Sequence, residues 1–361
     1  MELIDRFWRY FSYDIGIDLG TANTLVLVLG KGIVVREPSV VAMHKKTKRV
    51  LAIGTEAKRM IGKTPPTIVA MRPLKDGVIS DFDATAAMLT HYIHEIHKTP
   101  SGALIPKIPK PKVVVGIPSG VTEVERRAVW EVALSAGARE AFLIEEPMAA
   151  AIGVGLPIVD PSGNMIVDVG GGTTEMAVIS LGGIVVSRSI RVAGDEMDEA
   201  IIRFMHTKYN LLIGDATAED LKINIGSAYL PRKSENKEKL AVVRGRDIES
   251  GLPRSLKVSE TEIREALSPV ISEIVEEVGE TIEETPPELV ADIYERGIVL
   301  CGGGAQLRGI DKTISHGTEI PVRIADDPTT CTIRGINFLL DDEKLMRRVL
   351  LPSANEEKTV R

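Results

Sequence analysis

The chain has 361 residues, of which 44% are hydrophobic and 26% are charged, an ordinary composition for a globular protein with room for two hydrophobic cores. Its formal net charge of −7 and its aromatic content of 4% argue against a general nucleic-acid binder. Two cysteines are too few for a disulfide framework, and no apolar run reaches the roughly 18 residues that span a bilayer, so we expect a cytoplasmic protein.

Residues 1–12 predict a short amphipathic helix. Its apolar side chains follow helical spacing at Leu3, Ile4, Phe7, Trp8 and Phe11. Such a helix can lie in the membrane interface, and the alternative is that it packs on the protein's own core. Leu104 and Ile105 lie in a proline-rich loop flanked by lysines, where they either add to that membrane contact or fold back on the core.

Strands and helices then alternate along the chain. Strands are predicted at residues 15–18, 25–29, 113–117, 166–169, 176–179 and 298–300. Capping boxes formed by Thr122 with Glu125, and by Ser259 with Glu262, predict the starts of two helices. A basic turn at residues 44–49 predicts the tip of a hairpin. This alternation is typical of an α/β fold.

Two short segments repeat one another within this pattern. Residues 17–24 read IDLGTANT and residues 167–174 read VDVGGGTT, and each is followed by an apolar strand. Asp18 and Asp168 occupy equivalent positions just before the glycines. The repeat predicts two similar domains that each present a glycine-rich turn to a ligand held between them. The alternative is that each segment is an ordinary glycine-rich hairpin.

The chemistry of the two turns favours a polyphosphate ligand. Glycines without a Cβ let backbone N–H groups approach anionic oxygens closely, as expected at Gly20, Gly170, Gly171 and Gly172. Side-chain donors follow at Thr21, Asn23, Thr173 and Thr174. Because carboxylates repel phosphate, Asp18 and Asp168 predict a hydrated Mg2+ ion between them and the phosphates. The sequence therefore predicts a nucleotide–metal complex.

A candidate for activating water lies at the start of a predicted helix. In the segment IEEPMAAAIG, Pro147 suits the first helical position, which places Glu146 at the N-cap. Ser, Thr, Asp or Asn would stabilise that position better, so a functional role is indicated. We expect Glu146 to orient water for attack on a γ-phosphate, with Thr173 as helper. The alternative is an exposed glutamate that interacts with the helix dipole.

Two further segments suit the base and sugar of a nucleotide. Gly302, Gly303, Gly304 and Ala305 follow a predicted strand and allow a planar base to approach the backbone. Glu219 and Lys222 share a face of a helix predicted to begin near residue 217 and could hold the sugar hydroxyls. Alone, this pair would be an intrahelical salt bridge.

These motifs, in this order, resemble those of the superfamily of actin, heat-shock chaperones and sugar kinases. More narrowly, EPSVVA, RPLKDGVI, VERRAV, LIEEPMAAAIG and ADDPTTC resemble the MreB family of bacterial actin-like cell-shape proteins, from about residue 14 to residue 340. The resemblance implies an α/β, actin-like (ribonuclease H-like) fold. Two duplicated domains would surround a nucleotide cleft, and each would carry an inserted subdomain.

The resemblance also implies a domain division. Domain I would take residues 13–157 and 322–345, with an insertion at about 34–75. Domain II would take residues 158–321, with an insertion at about 195–258. Residues 1–12 would form the membrane-targeting helix, and residues 346–361 a charged tail.

Finally, the resemblance implies a slow ATPase whose hydrolysis is coupled to polymerisation, with ATP and Mg2+ as ligands. By position, nucleotide contacts fall on Thr21, Ala22, Asn23, Gly171, Gly172, Thr173, Glu219, Asp220, Leu221, Lys222, Gly302, Gly303, Gly304 and Ala305, with Glu146, Thr173 and Asp168 in the catalytic roles. Paired protofilaments on the inner membrane face would guide cell-wall synthesis together with membrane-embedded elongation proteins. The alternatives are a small-molecule kinase or a chaperone-type ATPase of the same superfamily.

Overall fold

The structure is a computed structural model that describes residues 11–98, 108–229 and 238–350. The predicted membrane contacts at Leu3, Ile4, Phe7, Trp8, Leu104 and Ile105 lie outside these ranges, as does most of the charged tail. Phe11 lies inside them, and its carbonyl oxygen accepts a hydrogen bond from the Ile108 N–H at 2.6 Å. Within the three described ranges, no helix is both long enough and apolar enough to cross a membrane.

The strands alternate with helices as the sequence predicts. The strands are β1 (Ile15–Leu19), β2 (Asn23–Val28), β3 (Gly32–Pro38), β4 (Val41–His44), β5 (Val50–Ile53), β6 (Ile68–Met71), β7 (Leu74–Lys75), β8 (Val78–Ile79), β9 (Lys112–Ile117), β10 (Glu140–Glu145), β11 (Asn164–Val169), β12 (Thr174–Ser180), β13 (Gly183–Ile190), β14 (Leu211–Leu212), β15 (Leu240–Asp247), β16 (Pro253–Ser259), β17 (Ile298–Cys301) and β18 (Val322–Ile324). All six predicted strands are confirmed to within two residues at each end.

The helices are α1 (Thr55–Lys58), α2 (Phe82–Ile96), α3 (Glu123–Ser135), α4 (Glu146–Gly153), α5 (Gly194–Tyr209), α6 (Asp215–Ile225), α7 (Glu260–Glu283), α8 (Pro287–Arg296), α9 (Ile310–Thr318), α10 (Cys331–Asp341) and α11 (Glu343–Val349). Both predicted capping boxes are confirmed. At α3, the Glu125 carboxylate accepts the Thr122 N–H at 2.8 Å. At α7, the Glu262 carboxylate accepts the Ser259 N–H at 2.9 Å. Each box satisfies backbone donors that a helix start leaves without intrahelical partners.

The two large sheets have the same strand order. The first runs β3–β2–β1–β9–β10, and the second runs β13–β12–β11–β17–β18. In the first sheet β1 lies antiparallel to β2 and parallel to β9, and in the second β11 lies parallel to β17. Three consecutive strands are thus followed by two later ones in both sheets. The sequence repeat therefore reflects a duplicated architecture.

Backbone contacts divide the chain into two units. One takes Met1–Pro161, Ile179–Ile184 and Thr330–Arg361 as far as these are described, and the other takes Ser162–Val178 and Val185–Thr329. Each unit has its own hydrophobic core beside its large sheet. The predicted domain division places residue 322 in the first domain, whereas β18 pairs with β17 in the second sheet.

Each unit also contains a small three-stranded sheet. In the first unit, β4 lies between β5 and β6, and the basic turn at residues 44–49 joins β4 to β5 as predicted. In the second unit, β15 lies between β14 and β16. Val243 and Val258 of this sheet are buried in the core of their unit, so its opposite face is turned to solvent.

Candidate functional site

The first glycine-rich turn joins β1 to β2 and is held in place by residues outside it. The Ser39 hydroxyl donates to the Gly20 carbonyl oxygen at 2.6 Å, and the Ser39 N–H donates to the Ala22 carbonyl oxygen at 3.0 Å. A Cβ on Gly20 would lie 2.8 Å from the Asn23 carbonyl oxygen, so the turn has no room for a side chain there. Thr21 is buried, and its hydroxyl accepts the Gly77 N–H at 3.0 Å. These contacts define the turn without a ligand.

The second glycine-rich turn, between β11 and β12, has the same local geometry. The Gly170 N–H donates to the Thr173 carbonyl oxygen at 2.9 Å, and a Cβ on Gly170 would lie 2.9 Å from that oxygen. Thr173 is buried, and the Thr174 hydroxyl donates to the Val192 carbonyl oxygen at 2.7 Å. The Cβ position of Gly170 is thus as close to the Thr173 carbonyl oxygen as the Cβ position of Gly20 is to the Asn23 carbonyl oxygen. The two turns are structural copies as well as sequence copies.

Glu146 is the first residue of α4, and Glu145 is its N-cap. The prediction that Glu146 is the N-cap is therefore wrong by one position. The reason is that β10 continues through Glu145, which pairs with Ile117 and keeps an extended backbone (φ −68°, ψ 131°). Burial raises the pKa of the Glu145 carboxyl above its ordinary value, and a hydrogen bond from Ser119 only partly offsets this effect.

A glycine that sequence reasoning missed brings Glu146 near Asp18. Gly116 on β9 is the register partner of Asp18 on β1. A Cβ on Gly116 would lie 3.4 Å from the Glu146 Cγ atom, so the stem of that side chain packs over this glycine. The available signal was a single glycine within the otherwise β-branched segment VVVGI. The stem of the Glu146 side chain and the first candidate metal ligand, Asp18, therefore both lie beside Gly116.

Two glycines at a helix crossing set the position of α4. A Cβ on Gly153 would overlap the Cys331 carbonyl oxygen, and a Cβ on Gly335 would overlap the Ala149 carbonyl oxygen. Helices α4 and α10 therefore pack with their backbones in contact. Because Glu146 begins α4, this packing also sets the place of its carboxylate.

The glycine segment after β17 packs against the second turn. Gly302 has φ +86°, and a Cβ there would overlap an Asp168 carboxylate oxygen and the Val169 carbonyl oxygen. The pairing of Asp168 with Cys301 in adjacent parallel strands places these groups together. Ala305 is fully buried and lies within a three-residue 3-10 helix, Gly304–Gln306. The sequence-predicted phosphate and base segments of this unit are thus neighbours.

Helix α6 carries the predicted sugar-contacting residues. Its Lys222 ammonium lies 2.9 Å from an Asp198 carboxylate oxygen of α5 and donates to the Gly194 carbonyl oxygen at 2.7 Å. Glu219 is half-buried, Asp220 is exposed, and Leu221 is buried in the core. Leu221 therefore turns its side chain away from the face that Glu219 and Lys222 share.

The first turn of α5 joins Lys222 to the glycine-rich turn. The Asp195 N–H donates to the Gly171 carbonyl oxygen at 2.7 Å, and the Gly194 N–H donates to the Gly170 carbonyl oxygen at 3.3 Å. Burial raises the pKa of Asp198 to about 6 against the opposing effect of Lys222. Sequence reasoning missed Asp198, whose only signal was an acidic residue on the inward face of an amphipathic helix.

The carboxylates of the two turns suit Mg2+ better than a metal held by protein ligands alone. Among the residues that the structure describes, no three His, Cys, Asp or Glu side chains form a group that could hold a metal ion. Asp18 and Asp168 each stand at one glycine-rich turn. Mg2+ retains several waters and binds through one or two carboxylates plus substrate phosphates, so this donor set fits it.

The histidines of the segment HYIHEIH do not form a metal site. His97 is buried, and its Nε2 atom lies 3.1 Å from the Ser12 hydroxyl and accepts the Tyr13 N–H at 3.1 Å. Its Nδ1 atom lies 2.7 Å from the Ile93 carbonyl oxygen. Both ring nitrogens of His97 are thus used within the fold.

The duplicated sheets and their matching glycine-rich turns define an actin-like protein. The family model described as MreB/Mbl protein matches residues 12–348. The chain therefore belongs to the MreB/Mbl family.

Individual relatives agree with this assignment. The chain is 51% identical over 337 residues to the cell shape-determining protein MreB of Escherichia coli strain K12, covering 92% of this chain and 94% of that protein. It is 47% identical to the cell shape-determining protein Mbl of Bacillus subtilis strain 168, covering 94% and 99%. The crystal structure of MreB5 of Spiroplasma citri bound to ADP matches with a TM-score of 0.85 and 43% identity, covering 93% of this chain and 98% of that one.

Proposed function

We propose that this chain is an ATP-binding, filament-forming bacterial cytoskeletal protein that assembles on the inner membrane face and directs cell-wall synthesis and rod shape. The observation that carries the proposal is the pair of matching turns, each with one aspartate and a glycine that has no room for a side chain. The family supports it, because curated relatives are named cell shape-determining proteins. MreB5, at 41–43% identity, has been solved with ADP and with AMPPNP.

In this proposal both units contribute residues to one nucleotide. The turn at Gly20, Thr21, Ala22 and Asn23 and the turn at Gly170, Gly171, Gly172 and Thr173 bind the phosphates through backbone N–H groups and hydroxyls. Gly302, Gly303, Gly304 and Ala305 accommodate the base, and Glu219, Asp220 and Lys222 line the sugar side. Leu221, which was predicted to join them, packs in the core instead. The ion pair of Lys222 with Asp198 supports this assignment, because it holds the lysine side chain in one position before a nucleotide binds.

Asp18 and Asp168 would hold Mg2+ through water. When bound, the ion neutralises charge that develops on the transferring phosphoryl group. The protein's part is to place one carboxylate at each turn, and the close packing of Asp168 against Gly302 holds one of them in place.

Glu146 is proposed to orient the attacking water, with Thr173 as helper and Asp168 in support. The packing of its stem over Gly116, beside Asp18, supports this role. Hydrolysis by such positioning alone is slow, and coupling to polymerisation would follow if assembly adjusts the water-positioning groups. The remaining parts of the proposal are paired protofilaments, membrane contact through the N-terminal segment and the loop at Leu104 and Ile105, and binding to membrane-embedded elongation proteins.

The test is electron microscopy of the purified chain with Mg2+ and ATP on anionic liposomes. We expect double filaments lying on the membrane, and the same preparation with ADP and EDTA should show far fewer. Monomers alone at high protein concentration with ATP would overturn the proposal.

The catalytic assignment predicts that Glu146→Gln slows phosphate release by about 100-fold or more, because a positioned base contributes on the order of 10²–10⁴-fold to the rate. Nucleotide affinity should stay within a few fold of that of the unsubstituted chain. The matched control is Glu145→Gln, which changes the adjacent, half-buried glutamate in the same way. Phosphate release by a coupled colorimetric assay, with affinity from a fluorescent ATP analogue, measures both quantities. Equal turnover in Glu146→Gln and the unsubstituted chain would remove Glu146 from its role.

A further inference from the structure

The outward face of the hairpin formed by β15 and β16 has an unusual composition. Its residues alternate with the buried ones, and the register places them side by side as Leu240 with Ser259, Val242 with Lys257, Arg244 with Ser255, and Arg246 with Pro253. Leu240 and Val242 are each 60% exposed, and Arg244, Arg246 and Lys257 are exposed as well. We call these eight residues the basic sheet face. It contains three cations, two large aliphatic side chains and no carboxylate.

The three cations are not neutralised by the rest of the fold that the structure describes. Within residues 11–98, 108–229 and 238–350, none of the three forms an ion pair. The carboxylates of the same hairpin are directed elsewhere. Asp247 pairs with Arg254 at 2.9 Å on the other side of the sheet, and Glu249 accepts a bond from the Asn210 side chain at 3.3 Å. Glu238, which precedes β15, accepts the Thr261 N–H of α7 at 3.2 Å.

The hairpin is rigid enough to present these groups as one surface. Its other face is buried through Val243 and Val258. The Asp247 carboxylate also accepts the Ser250 N–H at 2.9 Å and the Ser250 hydroxyl at 2.8 Å, and these bonds hold the pKa of Asp247 at about 2. The turn therefore keeps its ionised cap at every physiological pH.

We propose that the basic sheet face binds the headgroup layer of an anionic phospholipid membrane. Charge complementarity selects an anionic partner, since the face is cationic in a chain of net charge −7. The exposed Leu240 and Val242 beside the cations favour a lipid surface, which accepts apolar side chains below its phosphates. A nucleic acid offers no such layer, and the face has no aromatic side chain on which a base could stack.

This inference rests on the membrane contact of the proposed function and adds to it a further surface, whose binding to lipid requires neither nucleotide nor assembly. Each basic residue near an anionic membrane raises partitioning about fivefold, so three raise it on the order of a hundredfold. The contribution falls as salt rises, since exposed charges are screened beyond about 10 Å at 0.1 M ionic strength.

The experiment compares two triple variants of the full chain without nucleotide and below the assembly concentration. The test variant carries Arg244→Gln, Arg246→Gln and Lys257→Gln. The control variant carries Arg203→Gln, Lys312→Gln and Arg323→Gln, which removes the same charge from exposed positions elsewhere in the same unit. Co-sedimentation is measured with vesicles of phosphatidylglycerol mixed with phosphatidylcholine, and with vesicles of phosphatidylcholine alone.

We expect the test variant to lose on the order of a hundredfold in partitioning to the mixed vesicles, and the control variant to lose far less. Leu240→Thr with Val242→Thr should reduce the binding that persists at high salt. Equal losses in both triple variants, or no loss in either, would overturn the proposal. So would a test variant that keeps vesicle binding but loses binding to a DNA duplex.

The result is separable from the proposed function. ATP hydrolysis and filament formation, measured without vesicles, should be the same in the test variant and the unsubstituted chain. Loss of filament formation in the test variant alone would assign the face to subunit contact and overturn its assignment to lipid. Circular dichroism at matched concentration confirms that all variants are folded.

Discussion

Gly302 and Gly303 are adjacent in sequence but differ in what they tolerate. Gly302 has φ +86°, and a Cβ there would overlap the Asp168 carboxylate and the Val169 backbone. Gly303 has helical dihedrals (φ −64°, ψ −35°), and a Cβ there would meet nothing within 4 Å. The first glycine is required by the packing between β11 and β17, whereas the second is not required by the fold.

We therefore predict that Gly302→Ala lowers Mg2+–ATP affinity by about tenfold or more, because it displaces the Asp168 carboxylate, and that it destabilises the chain by about 1–3 kcal/mol. Gly303→Ala is the matched control and should change stability by less than about 1 kcal/mol. Isothermal calorimetry and urea unfolding measure the two effects. If Gly303→Ala weakens Mg2+–ATP affinity while leaving stability unchanged, the added methyl group must block close approach of the base to the backbone at Gly303.

Asp198 is a buried carboxyl whose pKa depends on its surroundings. Burial raises its pKa from 3.8 to about 6 in the folded chain, and Lys222, Glu219 and Asp195 are the charged groups that act on it. Between these two values the folded chain binds a proton that the unfolded chain has released. The free energy of unfolding therefore decreases as pH rises through this window, and above it the contribution is constant.

We predict that Asp198→Asn removes this component. The difference in free energy of unfolding, variant minus unsubstituted chain, should rise by on the order of 1–3 kcal/mol between pH 4 and pH 6 and stay level from pH 7 to pH 8. Urea unfolding at each pH supplies the measurement. A difference that is flat with pH would mean that Asp198 keeps its ordinary pKa in the folded chain.

At the scale of elements, the crossing of α4 with α10 shows how packing determines a site. Gly153 and Gly335 allow the two backbones to touch, and Gly16 on β1 similarly receives the Ile336 side chain of α10. Because Glu146 begins α4, a shift of this helix moves the candidate water-positioning carboxylate. A displacement of about 1 Å can cost on the order of a hundredfold in rate.

Gly335→Ala is accordingly expected to destabilise the first unit by about 1–3 kcal/mol and to slow ATP hydrolysis, since the new methyl group would overlap the Ala149 backbone. Gly279→Ala is the control, because Gly279 lies within α7 with open space around its Cβ position. That substitution should stabilise the chain by about 0.5–1 kcal/mol. Thermal unfolding and phosphate release measure both variants. Stabilisation in both would show that α4 and α10 separate at no cost.

At the scale of the whole molecule, the duplication assigns one aspartate and one glycine-rich turn to each unit. Two independent ligand sites and one shared site predict different effects of ligand binding on the stability of the two units. A shared nucleotide stabilises both units by the same binding free energy, about 2.7 kcal/mol when the ligand is at 100 times its Kd. Independent sites would let each unit respond alone.

The proposed function therefore predicts that Asp18→Ala, in the first unit, removes the protection that Mg2+–ATP gives to the amides of residues 170–173 in the second unit. Hydrogen exchange with mass spectrometry measures this protection. Glu295→Ala, which removes an exposed carboxylate of the second unit outside the proposed nucleotide site, serves as the control and should retain most of it. Full protection in Asp18→Ala would indicate two separate sites.

Local signals in the sequence predicted the regular elements and the motifs. Short apolar runs located the strands, and the Thr122 and Ser259 capping boxes located two helix starts, because these signals depend on neighbours within a few residues. The helix start at Glu146 was misplaced by one residue, since the pairing of Glu145 with Ile117 extends β10 beyond what local propensity indicates. The role of Gly116 was missed because its partners Asp18 and Glu146 are distant in sequence.

The sequence by itself determined that the chain is an α/β protein with a repeated aspartate–glycine turn, because repetition and periodicity can be read from residue order. Only the tertiary structure decided which groups lie together. Strand pairing places Asp168 against Gly302 and Asp18 beside Gly116, and side-chain packing directs Lys222 to Asp198. Contacts of this kind join residues far apart in the chain, and their geometry depends on strand register and helix packing rather than on local composition.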